Sequence, residues 1–79
     1  MDEHERFMCI AIEEAHTARV EGNDPVGSVI VRDGQIVARG RNLVYTTHDP
    51  TAHAETVAIR NAGSATSAVA FPDCVLYTT

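Results

Sequence analysis

The sequence predicts an α/β domain with the element order α-β-β-α-β, a mixed sheet with helices on both faces. Three observations carry that expectation. Apolar residues recur at helical spacing near the amino terminus, an unbroken apolar run precedes an Asp-Gly turn in the middle, and a second helical stretch leads into a short β-rich run at the end. With 79 residues, the chain is expected to form one small, incomplete domain over 1–79, of a size that buries only about 60% of the surface its unfolded form exposes.

From Glu3 to Glu21, Phe7, Ala11, Ala15 and Ala18, flanked by Met8 and Ile12, mark one face of a helix with acidic residues in its first turn. Gly22 stops it, and Asn23-Asp24-Pro25 forms a turn, because the residue before proline is pushed out of helical geometry. His4 and His16 read as exposed helix residues. Two strands follow, Val26 to Arg32 and Gln35 to Arg39, joined by Asp33-Gly34, which suits a two-residue type I′ turn. The run Val29-Ile30-Val31 predicts a strand covered on both faces, so the first helix needs a counterpart. That counterpart is expected to start at Asp49-Pro50, with aspartate as cap and proline at the first helical position, and to run to about Ala62. Gly63 would end it in a left-handed conformation, and Ser64 to Ser67 would be a loose connection. The last strand, Cys74 to Thr78, is expected to lie parallel to Val26–Arg32 after a helical crossover, leaving an open sheet edge.

A formal net charge of −5 disfavours broad contact with nucleic-acid backbones, which requires clustered cations. Arg32, Arg39 and Arg41 bracket the hairpin beside Asp33 and read as a solvated face. No apolar run approaches the roughly 18 residues of a membrane span, and the charged start lacks a basic leader, so a cytoplasmic location and no membrane partner are expected. Cys9 and Cys74 are too far apart for a Cys-x-x-Cys pair and read as two buried thiols in a reducing compartment.

The segment Asp49-Pro50-Thr51-Ala52-His53-Ala54-Glu55 places an imidazole and a carboxylate together at a helix start. Taken alone, His53 reads as a surface imidazole and Glu55 as an acid suited to the positive end of a helix. Together they match His-x-Glu, the first half of the zinc-deaminase signature His-x-Glu followed by Pro-Cys-x-x-Cys. The setting extends the match: Val57-Ala58-Ile59-Arg60-Asn61-Ala62 follows, and Pro25-Val26-Gly27 and Gly40-Arg41-Asn42 precede. On these residues the chain resembles the amino-terminal part of the cytidine and deoxycytidylate deaminase superfamily, nearest its guanine deaminase and tRNA-adenosine deaminase branch. Leu76-Tyr77-Thr78-Thr79 is similar to the strand that such enzymes carry directly before Glu-Pro-Cys-x-x-Cys.

The resemblance implies a truncated form of the family's three-layer fold, with His53 as a zinc ligand and Glu55 as the catalytic proton carrier. It further implies that Asn42 and Ala54 bind substrate; taken by itself, Asn42 reads as a turn residue. The substrate implied is a small purine or nucleoside, with cytosine compounds behind; the acidic chain, without a clear RNA-binding stripe, puts guanine ahead of tRNA adenosine. His48 lies outside the motif and reads as a loop residue, and Cys74 reads as a small apolar strand residue rather than a replacement ligand. The second half of the signature is absent, so the chain is expected not to hold zinc stably and to be inactive alone, unless another chain completes the site. It is also expected to form a homo-oligomer. The competing reading is a non-catalytic interaction module derived from a deaminase. Helical geometry does not explain how His53 and Glu55 could converge, because positions two apart point to different sides of a regular helix.

Overall fold

The computed structural model describes residues 1–79 and contains α1 (Glu3–Val20), β1 (Gly27–Arg32), β2 (Gln35–Arg41), a single turn α2 (Val44–Thr47), α3 (Ala54–Thr66) and β3 (Cys74–Thr78). Helix α1 begins where the acidic first turn placed it. Asp2 adopts an extended backbone and its carboxylate accepts the N–H of Glu5 at 2.8 Å, satisfying one of the free donors of the first turn. Phe7, Ala11, Ala15 and Ala18 form its buried stripe, and Gly22 turns the chain away at φ 91°. The hairpin turn has φ 51° at Asp33 and 74° at Gly34, the paired positive angles of a type I′ turn.

The sheet order is β2-β1-β3, and both neighbours run antiparallel to β1. This corrects the expectation of a mixed sheet with β3 parallel to β1: Ser28 pairs with Thr78 and Arg32 with Cys74. The crossover through α3 starts from β2, which the hairpin has already reversed. The strand it delivers therefore runs parallel to β2 and opposite to β1. A bulge between Ile30 and Val31 interrupts the β1–β2 register.

β1 is the centre of the molecule, as its apolar run required. Val29 and Val31 pack with Phe7, Ala11 and Tyr77 on the α1 face, whereas Ile30 packs with Ala38, Ala58 and Ala62 beneath α3. Full burial of Phe7, at 2% exposure, contributes on the order of 2 kcal/mol. Two glycines set the layer spacing. A Cβ on Gly27 would come within 2.1 Å of the Ala11 carbonyl oxygen, and one on Gly40 within 2.3 Å of the Ala58 nitrogen, so both helices rest directly on strand backbone.

The end of the chain is tied to its beginning. The Tyr77 hydroxyl lies 2.6 Å from His4 Nδ1, so His4 is an engaged residue rather than simply an exposed one. The Thr79 N–H donates to the Gly27 carbonyl and the Gly27 N–H to Thr79 Oγ1, both at 3.0 Å. Cys74 is partly buried, but Cys9 is exposed, because it lies on the side of α1 away from the stripe of Phe7 and Ala11. No helix is long and apolar enough to cross a membrane.

Candidate functional site

The largest surface recess, about 400 Å³ between the start of α1 and the hairpin, is lined by Arg6, Phe7, Ile10, Gly34, Gln35 and Ile36 and brings together no acid and base. A smaller cleft of about 200 Å³ does. Asp24, Val26, Asn42, His53, Ala54 and Glu55 line it, so the structure gathers all four residues singled out from the sequence, from two separate stretches of chain.

His53 and Glu55 meet because α3 starts later than expected. The Asp49 carboxylate does not cap a helix; it accepts the backbone N–H of Thr51 at 2.9 Å and its hydroxyl at 2.7 Å. This local turn occupies the aspartate and ends helical geometry there. Those two bonds hold the Asp49 carboxyl below its ordinary range. His53 takes the cap position instead, with extended backbone at φ −70° and ψ 157°, and its carbonyl accepts the first helical bond from Val57. A cap residue is not bound by helical side-chain directions, so His53 Nδ1 and Glu55 Oε1 come within 3.6 Å, and both side chains stay open to solvent. The helix also runs past Gly63 to Thr66, with Ser67 taking the left-handed position at φ 60°.

Histidine makes no capping bond here, unlike the usual serine, threonine or aspartate. Ala54 is fully buried, and its N–H, the first of the helix, has no hydrogen-bond partner within the chain. An unpaired donor thus belongs to a residue lining a cleft that also holds an imidazole and a carboxylate. Asn42 is 5% exposed. Its Oδ1 accepts the Val44 N–H at 3.1 Å, which is the turn role of an asparagine, and its Nδ2 makes no bond to the protein. The turn thereby fixes the amide plane and leaves both amide hydrogens available at the cleft.

Arg41, next to Asn42, is not part of a free basic face. It donates to Glu21 through Nε at 2.6 Å and Nη2 at 3.0 Å, and lies 3.6 Å from Glu14. The paired guanidinium lowers the Glu21 carboxyl, and the Glu21 carboxylate raises Arg41. The end of β2 is thereby fastened to α1.

No three His, Cys, Asp or Glu side chains come together in a set able to hold a metal ion. His53 is a single nitrogen donor, while a catalytic zinc takes three protein ligands. Cys74 cannot add a second, since it pairs with Arg32 at one end of β1 and His53 lies beside Val26 at the other. These residues alone do not fit a zinc ion. His48 lies in the loop, with its backbone in the left-handed region at φ 55°. The sequence reading missed Asp24, a wall of the cleft, and α2; a four-residue helix has no periodicity to detect.

The sequence matches the family described as the cytidine and deoxycytidylate deaminase zinc-binding region over residues 1–79. It is 47% identical over 78 residues to guanine deaminase of Bacillus subtilis, covering 95% of this chain and 49% of that protein. Against tRNA-specific adenosine deaminase of Aquifex aeolicus it is 40% identical over 75 residues, covering 95% and 50%. The crystal structure of the Bacillus subtilis guanine deaminase superposes with a TM-score of 0.90, covering 99% of this chain and 50% of that one. A structure from work on A-to-I editing by tRNA:A34 deaminases gives 0.94 at 38% identity, covering 99% and 60%. The chain spans about half the length of the curated relatives it matches. In its sequence over 1–79 and in the fold it adopts, the chain belongs to the cytidine and deoxycytidylate deaminase family.

Proposed function

We propose that this chain supplies one half of a hydrolytic purine deaminase site, with Glu55 as proton carrier, His53 as one metal ligand, and Asn42 and the Ala54 N–H as substrate contacts. One observation carries the reading: Asn42, His53, Ala54 and Glu55 line a single cleft in which the Asn42 amide hydrogens and the Ala54 N–H are unclaimed by the protein. The donors suit the carbonyl and ring-nitrogen acceptors of a purine. Glu55, partly open to solvent beside His53, can take one proton from an attacking water and deliver it to a ring nitrogen, then take the second from the added hydroxyl as it becomes the carbonyl and pass it to the amine, which departs as ammonia. Zinc chemistry is not assigned to this chain by itself. The reading requires two further ligands, which the family signature supplies as Pro-Cys-x-x-Cys.

Guanine is favoured over tRNA adenosine. The formal charge of −5 opposes polynucleotide docking. Homo-oligomer formation belongs to the same proposal, because β3 presents an unpaired edge with Val75 49% and Leu76 44% exposed.

The test is completion. Fused to, or mixed with, a segment bearing Pro-Cys-x-x-Cys, the chain is expected to bind zinc stoichiometrically and release ammonia from guanine, whereas alone it releases none above background. Turnover by the 79-residue chain alone, or a completed protein that binds zinc but leaves guanine, adenosine and cytidine untouched, would contradict the reading. Sedimentation as a compact monomer at micromolar concentration would remove the oligomer from it.

A further inference from the structure

A residue that does not line the cleft is bonded to the short helix beside it. Asn23, in the turn after α1, is 6% exposed, and every one of its side-chain hydrogen bonds goes to α2. Its Oδ1 accepts the backbone N–H groups of Tyr45 at 2.9 Å and Thr46 at 3.1 Å, and its Nδ2 donates to Thr46 Oγ1 at 2.8 Å. Helix α2 is one turn long, and its own cap position, Leu43, makes no side-chain capping bond. An isolated turn of this length is unstable in water. Asn23 therefore acts as a remote cap, reaching across 22 positions in sequence to supply the acceptor that α2 lacks.

What α2 holds makes the contact matter. Its first residue, Val44, donates to the Asn42 side chain and so sets the plane of the amide, while the Leu43 N–H donates to the Ala52 carbonyl at 3.0 Å, beside His53. We infer that Asn23 is a positioning residue for the cleft: by capping α2 it orients the Asn42 amide toward the bound purine. This rests on the reading of Asn42 as a substrate contact. His53 is less dependent on Asn23, because α3 is independently seated on Gly40. Loss of Asn23 should therefore weaken substrate binding more than it slows chemistry.

Two variants separate positioning from general stability. Asn23→Ala removes every side-chain bond. Asn23→Asp keeps an acceptor for Tyr45 and Thr46, and the Thr46 hydroxyl can turn from acceptor to donor. In the 79-residue chain, Asn23→Ala is expected to lower hydrogen-exchange protection of the Tyr45 and Thr46 amides at least about tenfold and to shift the Asn42 side-chain amide resonances, with Val29, Ile30 and Val31 unchanged. Asn23→Asp restores both signals. In the protein completed with Pro-Cys-x-x-Cys, Asn23→Ala raises KM for guanine about tenfold, leaves kcat within about twofold, and is rescued by Asn23→Asp. Unchanged Tyr45 and Thr46 protection in Asn23→Ala, an equal loss in the central strand, or no rescue by aspartate would overturn the inference. A parallel Asn42→Ala variant with unchanged KM would overturn the reading of Asn42, and with it the substrate effect assigned to Asn23. The exchange pattern would then still decide whether Asn23 holds α2.

Discussion

The two long helices begin in opposite ways. At α1, Asp2 closes the first turn with its own carboxylate, whereas at α3 the cap position is given to His53, whose ring makes no capping bond and whose neighbour Ala54 keeps an unpaired N–H. One terminus has a first-turn donor satisfied by its own cap residue. The other holds its donors and an imidazole in reserve, at a cost in local stability, which is what a site for an outside molecule requires. Because the same chain contains both, each serves as a control for the other.

The largest effect is expected from breaking the seat of α3. Gly40→Ala places a Cβ within 2.5 Å of the Ala54 carbonyl oxygen and 2.3 Å of the Ala58 nitrogen, both backbone atoms that cannot move aside alone. A loss of about 1–3 kcal/mol follows for such overpacking, read as a lower denaturant midpoint. Amides of α3 should lose more exchange protection than those of α1. Equal losses in both helices would mean that α3 is not independently seated on β2.

A smaller and opposite effect sharpens the contrast. His53→Asn puts a good capping side chain where the helix has none and should stabilise the chain by about 1 kcal/mol. In the completed protein the same change should remove zinc and turnover. A variant that gained no stability would show that the first turn of α3 is already satisfied; one that kept its zinc would remove His53 from the ligand set.

The smallest effect belongs to pH. The backbone N–H of Glu5 holds the Asp2 carboxyl below its ordinary value of 3.8. Its contribution to folding is therefore fully present above about pH 3.8 and is lost as pH falls through the lower folded-state value. The Glu5 amide resonance should carry an Asp2 titration component in that acid range in the native chain and lose that component in Asp2→Ala. No corresponding titration by a capping carboxylate is expected at Thr56, the equivalent position of α3, since His53 takes the cap.

Much of the fold was legible in sequence, for reasons that particular residues make clear. The buried stripe of α1, the apolar run of β1 and the Asp33-Gly34 turn each follow from side-chain period or from positive φ, properties local to a few residues. The bounds of α3 were not legible. Asp49-Pro50 has the composition of a helix start, but Asp49 has two uses for its carboxylate, and the nearby Thr51 wins it. Gly63 has the composition of a stop, but a helix packed against Ala38 and Ile30 through Ala58 and Ala62 continues through it. The direction of β3 depended on which strand the crossover left, a matter of topology rather than of local composition. In the site, the pairing of His53 with Glu55 could be named but not explained until the cap position moved to His53. Asn23 read as a turn residue because its partners lie 22 and 23 residues away, a separation at which no local pattern operates.

The most direct test of the central claim, that the open start of α3 is a working half-site, is ammonia release from guanine by the completed protein with Glu55 and with Glu55→Gln. The substitution keeps the shape of the side chain and removes its capacity to carry a proton. Turnover is expected to fall by about a thousandfold, with zinc content and α3 exchange protection unchanged. A Glu55→Gln protein that retained turnover within about tenfold of the parent, well inside what loss of a general acid–base removes, would contradict the account.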